Sequence, residues 1–248
     1  MPYGIDVLNK TADEAELTIY GYITDEKWFD DDVTPKEFKA EMDKIKSAKK
    51  VTVLINSGGG GVFAGYAIKN IIENHKGQTV GKVTGVCASI ASVILQGCKE
   101  RIVPKDGWVM IHNPIAGTYG TAEDMRKTAD VLDKIKDGIV ATYADRTKAD
   151  EKEIRSMMDE ETWMTGEEAV AFGFADSIDE TAVVNAVLID DKPVINGQEI
   201  DPARYRSFPT DSIPNSTPEV LNISEPVDYT MQENELKLKT LSLKMLEV

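Results

Sequence analysis

The chain has 248 residues, of which 42% are hydrophobic and 29% are charged, enough for one substantial core and a smaller appendage. Its 28 basic and 43 acidic residues give a formal net charge of −15. Because such a field repels phosphate backbones and anionic lipid heads, we expect neither nucleic acid nor a membrane as a partner. The opening "MPYGIDVLNKTADEAEL" has no basic leader and no apolar segment, so we expect the protein to stay in the cytoplasm.

The first part of the chain alternates between strand patterns and helix patterns. The segment "EAELTIYGYIT" is rich in β-branched and aromatic residues and predicts a strand, whereas "TPKEFKAEMDKIKSA" opens with Thr34-Pro35, a good helix start. "KVTVLINS" is typical of a buried parallel strand, "VFAGYAIKNIIENH" has helical apolar spacing, and "QTVGKVTG" predicts a second strand. These segments together predict a βαβ unit and the α/β fold class.

The next segment, "TGVCASIASVILQGC", runs from Thr84 to Cys98 and predicts a buried helix that carries two serines. Its two cysteines, Cys87 and Cys98, are expected to be small buried apolar side chains. Two strands, "ERIVP" and "GWVMIHNP", and the long amphipathic helix "TAEDMRKTADVLDKIKDGIVATYADRT" follow. Shorter helices in "DEKEIRSMMDE" and "TGEEAVAFG" lead to a last strand near "ADSI", where the main domain is expected to close, at about residue 180.

Beyond Thr181 the composition changes. Residues 181–206 predict a small β extension, a hairpin in "VNAVLIDDKPVINGQEID" with a turn at Asp191-Lys192 or at Asn196-Gly197. Residues 207–248 predict a proline-rich linker and a short C-terminal helix. Because residues 207–228 hold four prolines and few large apolar side chains, we expect them to form a mobile tether.

The glycine run from Gly58 to Gly61 allows three interpretations. A nucleotide site is disfavoured, because the Gly-Lys-Ser/Thr of a P-loop is missing. Gly59, Gly61 and Ala64 do match a looser dinucleotide pattern, but the next predicted strand ends without the acidic residue that this pattern requires. The remaining interpretations are a tight turn without a ligand and an oxyanion hole built from glycine amides.

The chain has only two histidines, and they lie in different settings. His75 ends a predicted helix, where a capping role at the surface is expected. His112 ends the apolar strand "WVMI", at the sheet edge where sites of α/β folds lie. A nucleophilic serine needs such a base and a carboxylate to orient it. Both Ser89 and Ser92 satisfy this chemistry, although Ser89 lies nearer the start of its predicted helix and Ser92 suits close packing.

Four segments, "INSGGGGVFAGYAI", "GVCASIASVILQGC", "VMIHNP" and "TWMTGEEAVAFGFADSI", together resemble the proteolytic subunits of Clp protease, serine peptidases of the ClpP type. The resemblance covers roughly residues 15 to 180 in the same order. It implies a ClpP/crotonase-like fold of repeated ββα units. Because of the C-terminal extension, the chain is most similar to the branch found in phages and prophages, the head maturation or prohead proteases.

The resemblance also implies roles for individual residues. It makes Ser89 the nucleophile, His112 the general base, and the amides of Gly60 and Ile90 the oxyanion hole, with no metal or organic cofactor. The family acid precedes an aromatic residue, and alignment on the aromatic side chain of "TWMT" gives that role to Glu161. The acid of this family is usually Asp, and Asp159 is the second candidate. Two departures, Gly58 in place of the usual proline and Ile90 in place of methionine, leave the amides available.

From this resemblance we expect a serine endopeptidase that cleaves capsid or scaffold proteins during phage head maturation, in the host cytoplasm or inside the prohead. Its own C-terminal tail is a further expected substrate. The long helix, Thr121 to Thr147, is expected to join copies of the chain into a ring-shaped homo-oligomer. The alternatives are a housekeeping subunit that degrades unfolded proteins with an ATPase partner, a crotonase-like enzyme acting on acyl-CoA, and an inactive scaffold.

Overall fold

The computed structural model describes residues 4–8 and 10–213. An eight-stranded sheet runs through it, and the fold is mixed α/β as predicted. The strands of this sheet are β1 (Val7–Leu8), β2 (Glu14–Tyr20), β3 (Lys50–Ser57), β4 (Gln78–Ala88), β5 (Glu100–Pro104), β6 (Trp108–Ile111), β7 (Thr162–Thr165) and β8 (Ser177–Asp179). The helices are α1 (Pro35–Lys44), α2 (Val62–Glu73), α3 (Ile90–Gln96), α4 (Ala122–Ala144), α5 (Glu151–Glu160) and α6 (Gly166–Phe172).

The sheet is mostly parallel. Its strand order is β1-β2-β3-β4-β5-β8, in which only β1 is antiparallel to its neighbour. Strand β4 pairs with β5 over its first half and with β6 over its last residues, and β7 adds to β6 in the antiparallel sense. The chain therefore leaves the sheet at the ends of β4 and β6, which lie next to each other.

The end of β4 corrects one prediction. The expected helix from Thr84 to Cys98 begins only at Ile90, because the chain stays extended through Ala88. Residues Val86–Ala88 pair with Trp108–Met110 of β6. An apolar run that is buried on all sides looks the same in a strand and in a helix, so the pairing partner decides the structure.

Two hydrophobic cores lie on opposite faces of the sheet. Side chains alternate along β4, where Cys87 faces one core and Val86 and Ala88 face the other. The larger core is packed by helices, including Phe38 of α1, whose first turn is capped by the Thr34 hydroxyl. The smaller core is covered by residues that follow β8.

A small antiparallel sheet covers the second face. Its strands are β9 (Ala186–Ile189), β10 (Lys192–Ile195) and β11 (Gln198–Glu199). The predicted turn at Asn196-Gly197 is confirmed, and the other turn lies at Asp190-Asp191, one residue before the predicted position. The Asn56 side chain donates to the Ile195 carbonyl oxygen at 2.9 Å, which ties this sheet to β3.

Residues Tyr205–Ile213 form a segment that we call the C-terminal strap. Ile213 is buried, and Tyr205 and Phe208 pack against the second core. The expectation of a mobile tether from residue 207 is therefore wrong for residues 207–213, because two aromatic side chains and one isoleucine are enough to hold this segment on the sheet. The rest of the expected tether and the short C-terminal helix lie outside the described residues.

The long helix α4 is present as predicted, and Thr121 and Asp124 form a capping box at its start. Three side chains of its last turns, Ile139, Val140 and Tyr143, are buried, but its first half is largely solvent-exposed, with Met125 49% and Val131 51% exposed. Within the described part of the chain, no helix has the length and apolar character needed to cross a membrane.

Candidate active site

Ser89 lies at the turn between β4 and α3. Its backbone has φ 56° and ψ −129°, and its N–H donates to the Met110 carbonyl oxygen at 2.9 Å. A residue with a side chain rarely adopts this conformation, which costs about 1–3 kcal/mol. The surrounding strands hold the Ser89 backbone in this sharp turn, and the turn directs the Ser89 side chain toward the end of β6.

His112 directly follows β6, and its Nε2 lies 2.8 Å from the Ser89 Oγ. The pairing of β4 with β6 places the two strand ends side by side, and with them these two side chains. Burial lowers the pKa of His112 below its ordinary value of 6.5; the negative charge of Glu161 opposes this shift and the positive charge of Arg206 adds to it. The imidazole is therefore neutral near pH 7 and able to accept a proton.

Ser92 has a different environment. Its side chain is fully buried, its Oγ donates to the Ser89 carbonyl oxygen at 2.6 Å, and it also bonds to the Tyr143 hydroxyl at 2.7 Å. The contact with Tyr143 lies within the larger core. Ser92 therefore packs the helix, as predicted, and does not face His112.

The glycine run lies against Ser89. A Cβ atom placed on Gly59 would come within 2.6 Å of the Ser89 Cβ, and one on Gly60 within 2.0 Å of the Ile23 carbonyl oxygen. Gly60 also has φ 146°, which residues with side chains rarely adopt. In the described residues no backbone hydrogen bond uses the N–H of Gly60, or that of Ile90 at the start of α3. Both amides are free to donate to a ligand.

Glu161 lies immediately before β7 and is only 4% exposed. Because Thr162 pairs with Ile111, the acid and His112 are held on adjacent strand ends. The Glu161 carboxylate accepts hydrogen bonds from the N–H groups of Arg206 and Ser207 at 2.9 and 2.8 Å, and from the Ser207 hydroxyl at 3.1 Å. The Trp163 indole N–H lies 3.4 Å away. In the described residues no hydrogen bond joins Glu161 to His112.

The pKa of Glu161 reflects these contacts. Burial by itself raises the pKa of a carboxyl group, but the hydrogen bonds from the backbone of Arg206 and Ser207 and from the side chains of Trp163 and Ser207 together outweigh burial and bring the pKa below its ordinary value. Glu161 is therefore ionised at neutral pH. Its charge acts on His112 without a direct hydrogen bond.

Asp159, the second candidate acid, has an exposed carboxylate that is already engaged. It accepts hydrogen bonds from the Asn113 side chain at 2.8 Å and from Lys136 of α4 at 2.5 Å. These two contacts lower its pKa. Asp159 thus links the segment after His112 to the long helix and does not bond to the imidazole.

A pocket opens beside Ser89 and His112. It is mostly apolar and is lined further by Val62, Ile90, Val93, Pro114, Ile139 and Tyr143. These side chains bring apolar surface next to the Ser89 hydroxyl. The strap residues do not line it.

His75 differs from the prediction of a surface position. It is 8% exposed, and its Nδ1 accepts the Gly77 N–H at 3.1 Å, so it stabilises the turn after α2 from a buried position. The described residues contain no cluster of three or more His, Cys, Asp or Glu side chains with metal-ligand spacing.

Sequence reasoning did not find the contacts that the strap makes with Glu161. Arg206 and Ser207 contribute mainly through their backbone N–H groups, which any residue other than proline provides. The aromatic pair Tyr205 and Phe208, three residues apart in a polar segment, was the one available signal of packing.

Comparison with known proteins agrees with this geometry. The family model described as Clp protease matches residues 4–182. The ATP-dependent Clp protease proteolytic subunit of Bacteroides thetaiotaomicron is 31% identical over 153 residues, which cover 60% of this chain and 70% of the relative. The subunit of Porphyromonas gingivalis is 31% identical over 153 residues, which cover 60% of this chain and 69% of the relative. Subunit 2 of Bacillus licheniformis is 30% identical over 132 residues, which cover 52% of this chain and 70% of the relative.

The family match spans the large sheet, its helices and all the residues that surround Ser89. It also extends over more than half of the chain. The chain therefore belongs to the Clp protease family and is a serine-type peptidase.

Proposed function

We propose that the chain is an endopeptidase in which Ser89 is the nucleophile, His112 the general base and Glu161 the acid that supports the imidazole. The observation that carries this proposal is the 2.8 Å contact between the Ser89 Oγ and the His112 Nε2 at the ends of two paired strands. Such a contact activates a hydroxyl that is otherwise a weak nucleophile.

In this mechanism the Ser89 Oγ attacks the carbonyl carbon of the peptide bond and its proton passes to His112. The carbonyl oxygen becomes an oxyanion, which the N–H groups of Gly60 and Ile90 stabilise. His112 then gives its proton to the departing amine, which leaves an acyl group on Ser89. A water molecule, deprotonated by His112, attacks that acyl group and releases the second product.

A peptidase assay with two serine variants tests this proposal. Ser89→Ala should reduce the hydrolysis of a short fluorogenic peptide by several orders of magnitude, since it removes the nucleophile. Ser92→Ala is the matched control, because it removes a hydroxyl three residues away that bonds to the Ser89 carbonyl oxygen and to Tyr143 but not to His112. Equal losses in the two folded variants would contradict the assignment. Ser89→Ala activity equal to that of the unmodified protein would also contradict it.

For the biological role we favour a subunit that degrades unfolded protein chains with an ATPase partner. The relatives' own names, ATP-dependent Clp protease proteolytic subunit, support this alternative better than phage head maturation. An acyl-CoA enzyme has no support from these relatives. In this role the protein should cleave an unfolded substrate such as casein faster when a Clp ATPase and ATP are added.

Head maturation stays a second candidate because of one feature. The described chain continues from residue 183 to residue 213, beyond the family match, as an additional small sheet and the strap. Such an extension offers a surface for a capsid or scaffold partner, and it leads into the segment, residues 207–228, in or near which self-cleavage is expected. Specific cleavage of co-expressed capsid protein, with no stimulation by an ATPase, would favour this candidate over the first.

A further inference from the structure

We propose that the C-terminal strap is an autoinhibitory element that holds the Glu161 carboxylate and so prevents it from hydrogen bonding to His112. This inference rests on the proposed role of Glu161 as the acid. The chain is then a latent peptidase, and displacement of the strap completes the catalytic triad.

The first support is the set of groups bound to Glu161. Both carboxylate oxygens face the strap: one accepts the Arg206 N–H, and the other accepts the N–H and the hydroxyl of Ser207. The guanidinium of Arg206 lies 3.9 Å from the first of these oxygens. Charge-assisted hydrogen bonds of this kind are stronger than neutral ones, so they hold the carboxylate in an orientation that does not bond to the imidazole.

The second support comes from His112. Its Nε2 contacts Ser89, but in the described part of the chain its Nδ1 has no hydrogen bond that would fix the tautomer and the ring orientation. The acid that should provide this bond lies at the end of the neighbouring strand, close enough for its charge to act on the imidazole. The strap competes with His112 for that acid.

The third support is the way in which the strap is attached. The Tyr205 hydroxyl donates to the Gly58 carbonyl oxygen at 2.7 Å, and its ring lies 6.4 Å from that of His112. Phe208 packs edge-on against Trp163 with ring centroids 4.9 Å apart. Between these two anchors, Arg206 and Ser207 are exposed to solvent. A segment held by two aromatic anchors, one buried isoleucine at its end and a few hydrogen bonds can open locally while the sheet stays folded.

The strap is not expected to act by closing the pocket beside Ser89. None of its residues lines this pocket, so we expect a small substrate or inhibitor to reach the serine whether the strap is bound or released. Release should therefore change the rate of the chemical step more than the KM for a short peptide.

The test compares variants that loosen the strap. Tyr205→Phe removes only the hydrogen bond to Gly58, whereas Tyr205→Ala and Phe208→Ala each remove an aromatic anchor. Asp211→Ala is the matched control, since Asp211 belongs to the strap but is exposed and makes none of these contacts. Each variant is assayed for kcat and KM on a fluorogenic peptide and for fluorophosphonate labelling, with folding checked by circular dichroism. Each is also combined with Glu161→Gln.

Because activity follows the fraction of molecules with a released strap, we expect kcat to rise about fivefold or more in Tyr205→Ala and Phe208→Ala. It should rise by a smaller factor in Tyr205→Phe and not at all in Asp211→Ala. The gain should vanish in combination with Glu161→Gln. If folded strap variants still label at Ser89 but show unchanged or reduced kcat, the autoinhibitory role of the strap is overturned, whereas the proposed function is not. A gain that survives Glu161→Gln would overturn it as well. No labelling of Ser89 in any variant would instead contradict the proposed function.

Hydrogen exchange gives a readout that does not depend on activity. Glu161→Gln replaces a charged acceptor with a neutral one, so the amides of Arg206 and Ser207 should exchange faster, while the amides of β4 keep their rates. Unchanged exchange at these two amides would show that Glu161 does not hold the strap and would overturn the proposal.

Discussion

Ser89 and Ser92 lie three residues apart in one apolar segment, yet their hydroxyl groups face different surroundings. Ser89 occupies a sharp turn at a strand end and contacts His112, whereas Ser92 lies one helical turn deeper and contacts Tyr143 in the core. Local backbone conformation thus separates the hydroxyl that we propose as the nucleophile from the structural one, although both belong to the same residue type.

Glu161 and Asp159 allow a direct comparison of two acids. We expect Glu161→Gln to lower kcat/KM by about two orders of magnitude or more, because His112 loses the charge that stabilises its protonated form. Asp159→Asn should have a much smaller effect, since its partners are Asn113 and Lys136. Peptidase rates in the opposite order would transfer the role of the acid to Asp159.

Arg206 should influence the pH profile of the enzyme. In the proposed mechanism activity requires neutral His112, so we expect it to rise as the pH increases through the pKa of this residue, which burial and the Arg206 charge hold below 6.5. Arg206→Ala removes the charge but keeps the backbone N–H that binds Glu161. The pKa of His112 should therefore increase, and the acidic limb of kcat/KM should move to higher pH.

The control for this shift is Arg204→Ala, which removes a positive charge that lies over the Tyr22 ring. An acidic limb that stays in place in Arg206→Ala, or that moves equally in both variants, would mean that Arg206 has no specific effect on His112.

At the scale of secondary structure, the sequence predicted most helices and strands but not the exact path of the chain around Ser89. Helix α1 begins at its Thr34-Pro35 signal, and the turn at Asn196-Gly197 forms where glycine and asparagine allow it. Strand β4 was predicted too short, because its last residues are held extended by pairing with β6 and, at Cys87, with β3. Such pairing depends on residues that are distant in the sequence.

The predictable parts of the candidate site are those that lie in local sequence patterns. Ser89, His112 and Glu161 belong to local patterns, so their positions followed from the resemblance to a known family. The strap contacts did not, because Glu161 binds backbone N–H groups 45 and 46 residues later in the chain. A backbone donor carries no residue-specific signal in a sequence.

Arg101 connects several elements near their ends, and we expect it to matter for stability. Its buried guanidinium donates to the carbonyl oxygens of Arg146 and Gly173 at 3.1 and 2.9 Å, to the side chain of Gln96, and to Asp176. Arg101→Leu leaves these acceptors without their donor, so the free energy of unfolding should fall by about 3 kcal/mol in urea titrations. Lys105→Leu is the control, since Lys105 forms an exposed ion pair. Equal losses in both variants would contradict this account.

The exposed apolar side chains on the first half of α4 indicate that copies of the chain associate through this helix. Met125 and Val131 are about half exposed on this helix, and Tyr119 just before it is fully exposed. We expect copies of the chain to bury these side chains in a closed homo-oligomer. Light scattering at micromolar concentration should give a mass well above the monomer mass of 27.3 kDa, and Met125→Asp should reduce it. A monomeric mass for the unmodified protein would contradict the expected ring.

Adduct mapping with a fluorophosphonate probe tests the claim that Ser89 forms the covalent bond to the substrate. The probe phosphonylates an activated serine, so peptide mass spectrometry should locate one adduct on Ser89 in the unmodified protein and none in Ser89→Ala. Labelling of Ser89 should also decline in Glu161→Gln. An adduct on Ser92, or labelling that persists in Ser89→Ala, would contradict the claim.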